Sequence, residues 1–445
     1  MKKLALISLL YILAILPLKA EELSFNNFLS TTLTNSYKLK ISQLDTQISK
    51  KGINEARSEY FPTINAFATT ERYNDLTNGT SQITAVGNEI LLNRDYYQDM
   101  AALGLSYNVF DFGIRRKKLD IAKADNKQRE LLLERDTKDL KLDTADLYGE
   151  TLNFYKQSKI KQETLSLQKE LTEINKQLRT AGKKSEIDVV NSEIAVSETQ
   201  TELDEIDTNL AKKLTEISFY TNKDYDKKTI VMNDFPKDIS TIKTDADGVV
   251  QLSASITSYI PEESVDAKIY DLEIQKKQKE YEIQKKYNYP KLRFDTRYNF
   301  YGSDVNSFWN GVDDISQRSF SLRLSLSFVL FDGLKNINTI SKKKMEVEKA
   351  KIEKQQQLAE LKKKYDQIQL DVQNARIQSQ NNEKTLTLVN KNLDMLKRLH
   401  TNGIVEKASC IEKQLELLEK KQKLEQNKIK YAVSLYKLHV IEEEL

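Results

Sequence analysis

Cysteine is almost missing: Cys410 is the only one in 445 residues. One thiol cannot form an internal disulfide, so no cross-linked framework holds this fold together. Histidine is scarce as well, with two in the chain, and His400 near Cys410 does not make a metal cluster. The sequence has no Gly-rich phosphate loop and no nucleophile elbow. It therefore offers no catalytic, cofactor-binding or metal-ligating set, and it reads as a protein that is not an enzyme. Proline (5) and glycine (12) are few, which leaves little room for turns and points to long elements. After Leu16 no segment approaches the ~18 consecutive apolar residues of a membrane-spanning helix. An excess of one charge is also lacking. The 69 basic and 66 acidic residues are interspersed, which excludes a basic nucleic-acid footprint and suits long solvated helix faces. Hydrophobic residues, at 39%, are too few for one thick core but enough for narrow seams.

What is present begins with a secretory signal over residues 1–20. Lys2 and Lys3 supply its charge, Leu4 to Leu16 its apolar core, and Ala20 a small residue at the cleavage point. An uncleaved anchor is the alternative, although this core is short for a bilayer span. No cysteine follows the signal, so a lipoprotein-type anchor has no attachment point.

The rest of the chain is written twice. Phe110-Asp111 recurs at Phe331-Asp332, and Gly182 recurs at Gly403, each 221 positions later. One supersecondary unit has been used twice. The first repeat, residues 21–220, holds a helix, strands at 63–73 and 101–110, a long helix at 114–180 and a return helix at 185–220. The second, residues 261–445, holds a helix, strands at 292–301 and 319–331, a long helix at 334–400 and a return helix at 405–443. Residues 221–260 lack the periodicity and form a mixed connector. Each long helix would measure about 100 Å at about 1.5 Å per residue. The segments 74–95 and 302–317 read as exposed loops, and Leu23 to Glu59 as one helix ending before Pro62.

The clearest strand places Phe320, Leu322, Leu324, Leu326, Phe328 and Leu330 on one face and Ser321, Arg323, Ser325 and Ser327 on the other. Strict alternation over about ten residues is the transmembrane β-barrel pattern, shared with half-buried strands of a sandwich. In an otherwise helical secreted chain no second sheet exists to cover the apolar face. The second long helix carries a heptad seam through Leu361, Tyr365, Ile368, Val372, Ala375, Ser379, Asn382, Leu386, Val389, Leu393, Leu396 and His400. Such periodicity calls for neighbouring helices. Four strands cannot close a barrel, which starts at about eight, and an open edge in lipid costs several kcal/mol per unsatisfied group. The chain must share its sheet with other copies.

The paired strand–long-helix units, the Phe-Asp-x-Gly and Phe-Asp-Gly junctions and the glycine-marked hairpin tips resemble the TolC family of outer-membrane efflux proteins, in its non-lipidated branch. The likeness covers nearly the whole mature chain. It implies a mostly α fold with a small transmembrane β part: four strands per chain in a shared 12-stranded trimeric barrel, continuous with a long α-helical periplasmic barrel. It implies a passive exit duct for efflux or type I secretion in the outer membrane. Its partners would be a periplasmic adaptor (membrane fusion protein) and an inner-membrane pump or ABC transporter.

The resemblance also assigns the tips. Asp188 matches an aspartate that locks neighbouring helices, and His400 takes the place of its aromatic partner. A constricting aspartate is expected where Ser409 stands, while Glu412 keeps a carboxylate three residues on. The usual basic partner is replaced by Val405, with Lys407 nearby. Asp188, His400 and Glu412 are thus gate or constriction candidates, and Arg179, Gly182, His400 and Gly403 are adaptor-docking candidates. Glu412 also reads as one solvated charge among many, and His400 as the end of a seam. Tyr60, Tyr73, Tyr289 and Trp309 lie near strand ends, where interfacial aromatics gather. The competing reading is a periplasmic coiled-coil scaffold or adaptor without a membrane barrel.

Overall fold

A computed structural model describes residues 21–73, 81–85, 88–92, 96–227, 229–236 and 260–442. The signal segment, most of the connector and the last three residues lie outside that range. In chain order the elements are β1 (Glu21–Leu23), α1 (Phe25–Asn35), α2 (Tyr37–Ser58), β2 (Thr63–Tyr73), β3 (Ser81–Ala85), β4 (Asn88–Leu92), β5 (Tyr96–Phe110), α3 (Ile114–Thr180) and α4 (Glu186–Thr221). There follow β6 (Ile230–Met232), a 3₁₀ turn (Pro261–Glu263), α5 (Val265–Lys285), β7 (Lys291–Asp304), α6 (Phe308–Asp313), β8 (Gln317–Ser327), α7 (Lys335–Thr401) and α8 (Lys407–Glu442). The fold is mostly helical with a small β part, and α3 and α7 each run 67 residues.

The structure divides into two compact units. One comprises residues 45–130 and 269–354. Its centre is a four-stranded antiparallel sheet in the order β2-β5-β7-β8, in which every strand is antiparallel to its neighbour. β8 ends at Ser327, opposite Lys291. The sequence extends the strand to Phe331, but Pro290 precedes Lys291 and has no N–H to continue the ladder.

The other unit comprises residues 1–44, 131–268 and 355–445. Its core gathers Phe25, Phe28, Tyr148, Leu152, Leu214 and Ile217 around a short parallel pair, β1–β6. The Tyr148 hydroxyl donates to the Asn233 carbonyl at 2.6 Å, with the Leu23 carbonyl oxygen 3.0 Å away, and burial pushes its pKa well up. Gly149 lets α3 approach α8, since a Cβ there would overlap Val433. The heptad seam of α7 holds: Tyr365, Val372, Ala375, Val389 and Leu393 are buried.

Three local readings are corrected. Leu23 to Glu59 is not one helix: Ser36, with ψ of 120°, breaks it, and its hydroxyl accepts the Leu39 amide at 3.4 Å. Within 74–95 the described residues include the paired strands β3 and β4. Within 302–317 lies α6.

Candidate functional site

No pocket of the described residues assembles chemistry. No group of three His, Cys, Asp or Glu residues among them could hold a metal ion, and no described helix is long and apolar enough to cross a membrane. The features that carry function are the sheet, the strand-to-helix junctions and the hairpin tips.

The sheet has two unlike faces, because its register aligns the alternation of all four strands. Phe294 stands opposite Tyr107 and Leu324, Thr296 opposite Leu105 and Leu322, and Tyr298 opposite Leu103 and Phe320. Ile64 and Ala66 continue this apolar face on β2. Ile64, Phe320, Leu322, Leu324 and Leu326 are all more than 60% exposed, so along β2 and β8 no described residue covers it. The other face is polar and internally paired. Ser106 donates to Asp295 at 2.9 Å, Arg293 meets the same carboxylate at 3.0 Å, and the Arg297 guanidinium lies 5.0 Å from the Phe67 ring centre. Among the described residues both edges, β2 and β8, lack a neighbouring strand. Unpaired edges and a largely exposed apolar face cannot both be tolerated in water.

The repeated Phe-Asp motif caps the long helices. Asp111 accepts the backbone N–H of Gly113 (3.1 Å) and Arg115 (2.9 Å), and Phe112 and Gly113 turn the chain at φ of 56° and 80°. Arg115 then donates to Asp111, to the Glu59 carbonyl and to the Val109 carbonyl. At the second junction Asp332 accepts the Asn336 amide at 2.9 Å, with Gly333 and Leu334 both at φ of 68°. These are N-caps that leave the strand through a left-handed turn.

The two tips share one geometry. Lys183 donates to the Leu178 carbonyl at 2.8 Å and Gly182 to Arg179 at 2.9 Å; Ile404 donates to Leu399 at 2.9 Å and Gly403 to His400 at 2.9 Å. Gly182 and Gly403 have φ of 69° and 72°, which makes each turn a Schellman cap requiring glycine. Asp188 forms a capping box with Ser185: its carboxylate accepts the Ser185 amide at 2.9 Å, and the Ser185 hydroxyl accepts the Asp188 amide at 3.2 Å. The Ser185 side chain, and then its backbone, hold the Asp188 carboxyl below its ordinary value. The Nδ1 of His400 lies 2.8 Å from the Val405 carbonyl, so it carries the proton there. Among the described residues, Asp188 and His400 share no hydrogen bond or ion pair within one chain, and Glu412 is exposed and unpaired. Arg179 pairs with Glu186 at 3.0 Å. Sequence reasoning missed two contacts: Lys183–Glu406 (3.8 Å), which joins the tips, and Lys407–Glu170 (2.6 Å), which ties α8 to α3. Opposite charges flanking both glycines were the available signal.

The sequence profile of the outer membrane efflux protein family matches residues 28–223 and 268–441, and the chain belongs to that family. No curated protein sequence matches it. Among solved structures, the fold is similar to the Campylobacter jejuni CmeC outer membrane channel (TM-score 0.78, 16% identity, 94% of this chain and 85% of that one). It is similar also to the outer membrane protein VceC of Vibrio cholerae (TM-score 0.72, 12% identity, 94% and 95%). A third is the open state of the Neisseria gonorrhoeae MtrE outer membrane channel (TM-score 0.62, 14% identity, 94% and 88%). The chain is an outer-membrane efflux duct, and the soluble scaffold reading falls with that membership.

Proposed function

We propose that three copies join their sheets edge to edge, β8 of one against β2 of the next, into a twelve-stranded barrel that serves as a passive exit duct. The observation that carries this is the sheet itself. Among the described residues it has two unpaired edges, an apolar face left open along β2 and β8, and a polar face lined by Asp295, Arg293, Arg297 and Arg323. Closure satisfies the edges, lipid covers the apolar face, and the polar face becomes the wall of a water-filled bore. The exposed tips, with Arg179, Gly182, His400 and Gly403, are the surfaces offered to a periplasmic adaptor, through which an inner-membrane pump supplies the driving force. Asp188, His400 and Glu412 recur three times around the assembly and form its constriction. Rings of like charge at a narrow point favour cations and hold polycations.

The test is the native protein purified in mild detergent. The expected results are a mass of three chains by light scattering and discrete conductance steps in a planar lipid film. A stable monomer with no conductance overturns the proposal. For the gate, His400→Ala should raise conductance and alter its pH dependence; unchanged traces remove His400 from it.

A further inference from the structure

The short helix α6 lies on the apolar face of the sheet, at the end away from Phe110 and Lys291. Two glycines bring it there. Gly302 on β7 stands opposite Asp99 on β5, on the same face as Tyr298, Phe300 and Leu103. A Cβ on Gly302 would overlap the Gly311 carbonyl oxygen, and a Cβ on Gly311 would overlap the Asp99 carboxylate. Helix backbone thus rests directly on strand backbone, and both glycines are buried. Asp99 is sealed beneath them at 3% exposure, its carboxylate oxygens without hydrogen-bond partners among the described residues. The entry to the helix is fixed as well: Asp304 accepts the backbone N–H of Asn306 at 2.8 Å and of Ser307 at 2.7 Å.

The side of α6 turned away from the sheet is amphipathic, with Trp309 exposed beside the polar Asn310 and Asp313. Trp309 is 71% exposed, with the Phe308 ring edge-on to it at 4.8 Å, and Val305 is exposed beside them. Trp309 is the only tryptophan in the chain. An indole so exposed, touched edge-on by Phe308, is unusual in water. It is the ordinary arrangement where acyl chains meet headgroups, because the ring is apolar and its N–H is a donor. The surface that carries α6 is continuous with Phe320, Leu322 and Leu324, the exposed apolar residues of the sheet.

We propose that α6 is a membrane-surface anchor, which sets Trp309 into the headgroup boundary of the outer membrane lipid at the rim of the sheet. The proposal rests on the outer-membrane reading and adds a specific lipid contact to it. The experiment uses the full chain in phosphatidylcholine vesicles, with emission excited selectively at Trp309. Lipids brominated close to the headgroup should quench that emission about twofold, while acrylamide in the aqueous phase should quench it weakly. Gly311→Leu, which prises α6 from β7, should shift the emission to the red and reverse both sensitivities. A protein that floats with the vesicles yet shows wild-type emission open to acrylamide and blind to brominated lipid overturns the anchor alone. A protein that does not float overturns the outer-membrane reading with it.

Discussion

In the first repeat Asp111 accepts two backbone amides and the Arg115 side chain, and Arg115 in turn reaches the ends of α2 and β5. Asp332, its counterpart, accepts one backbone amide, and Asn336 replaces the arginine, meeting only Gln284 at 2.7 Å. The hairpins differ in the same sense. In the first, Ser158 donates to Asp207 at 2.7 Å, Lys161 pairs with Glu202, and Ile160 is buried between them. At the same level of the second, Gln378, Asn381, Asn382, Lys423, Gln426 and Asn427 line an open cleft of about 390 Å³. The two copies share one topology, but at this level the first hairpin is the more tightly braced, the second being bridged by the looser Lys428–Glu383 pair at 3.7 Å.

The sharpest way to break this comparison is to exchange residues between the copies. Gly149 in α3 corresponds to Leu370 in α7, which is exposed. Gly149→Leu should wedge α3 from α8 and cost about 1–3 kcal/mol in thermal unfolding, whereas Leu370→Gly should cost about 1 kcal/mol through helix propensity. Equal losses would show that the two helices are not differently braced. Next in size are the junctions. Asp111→Ala should destabilise the protein by about 2–3 kcal/mol and Asp332→Ala by about 1 kcal/mol in denaturant titration, because only the former also strands a buried arginine.

A smaller effect concerns the cleft. Amides near Asn382 should exchange hydrogen faster than those near Lys161. Asn382→Leu, by extending the apolar seam, should slow exchange in α7 about fivefold, or about 1 kcal/mol. Unaltered exchange would relieve the amides of any role in slackness. The smallest effect is titration of the Asp188 cap. Its folded pKa lies below the ordinary 3.8, so the cap contributes fully above that value and is lost as pH falls through the folded one. Carbon NMR of the Asp188 carboxyl should show the depressed midpoint, and Ser185→Ala should return it to the ordinary range.

Most of the architecture was legible because it depends on period. Alternation in Phe320 to Leu326 identified a strand with an apolar and a polar face, and steps of four and three from Leu361 to Leu393 identified a packed helix. The repeated Phe-Asp and glycine landmarks mark backbone conformations that few residues tolerate, so they too survived reading. What escaped was set by contacts far apart in sequence. The break at Ser36 has no proline or glycine to announce it, β1 and β6 are too short to show any period, and α6 depends on Gly302 and Gly311 meeting Asp99. At the tips, Asp188 and His400 were legible as positions. Their partners within one chain, Ser185 and Val405, are local caps that a search for long-range locks overlooks.

The pairing of β1 with β6 has a consequence for biogenesis. Glu21–Leu23 is made early, yet its parallel partner Ile230–Met232 follows only after the entire first hairpin. Neither three-residue strand has an alternative partner in that sheet. The early strand therefore stays unpaired until about half of the chain has followed it, when the Tyr148 hydroxyl can close over both. A nascent chain halted before Ile230 would keep its leading end open to chaperones and proteases, so periplasmic quality control can act before any membrane insertion begins.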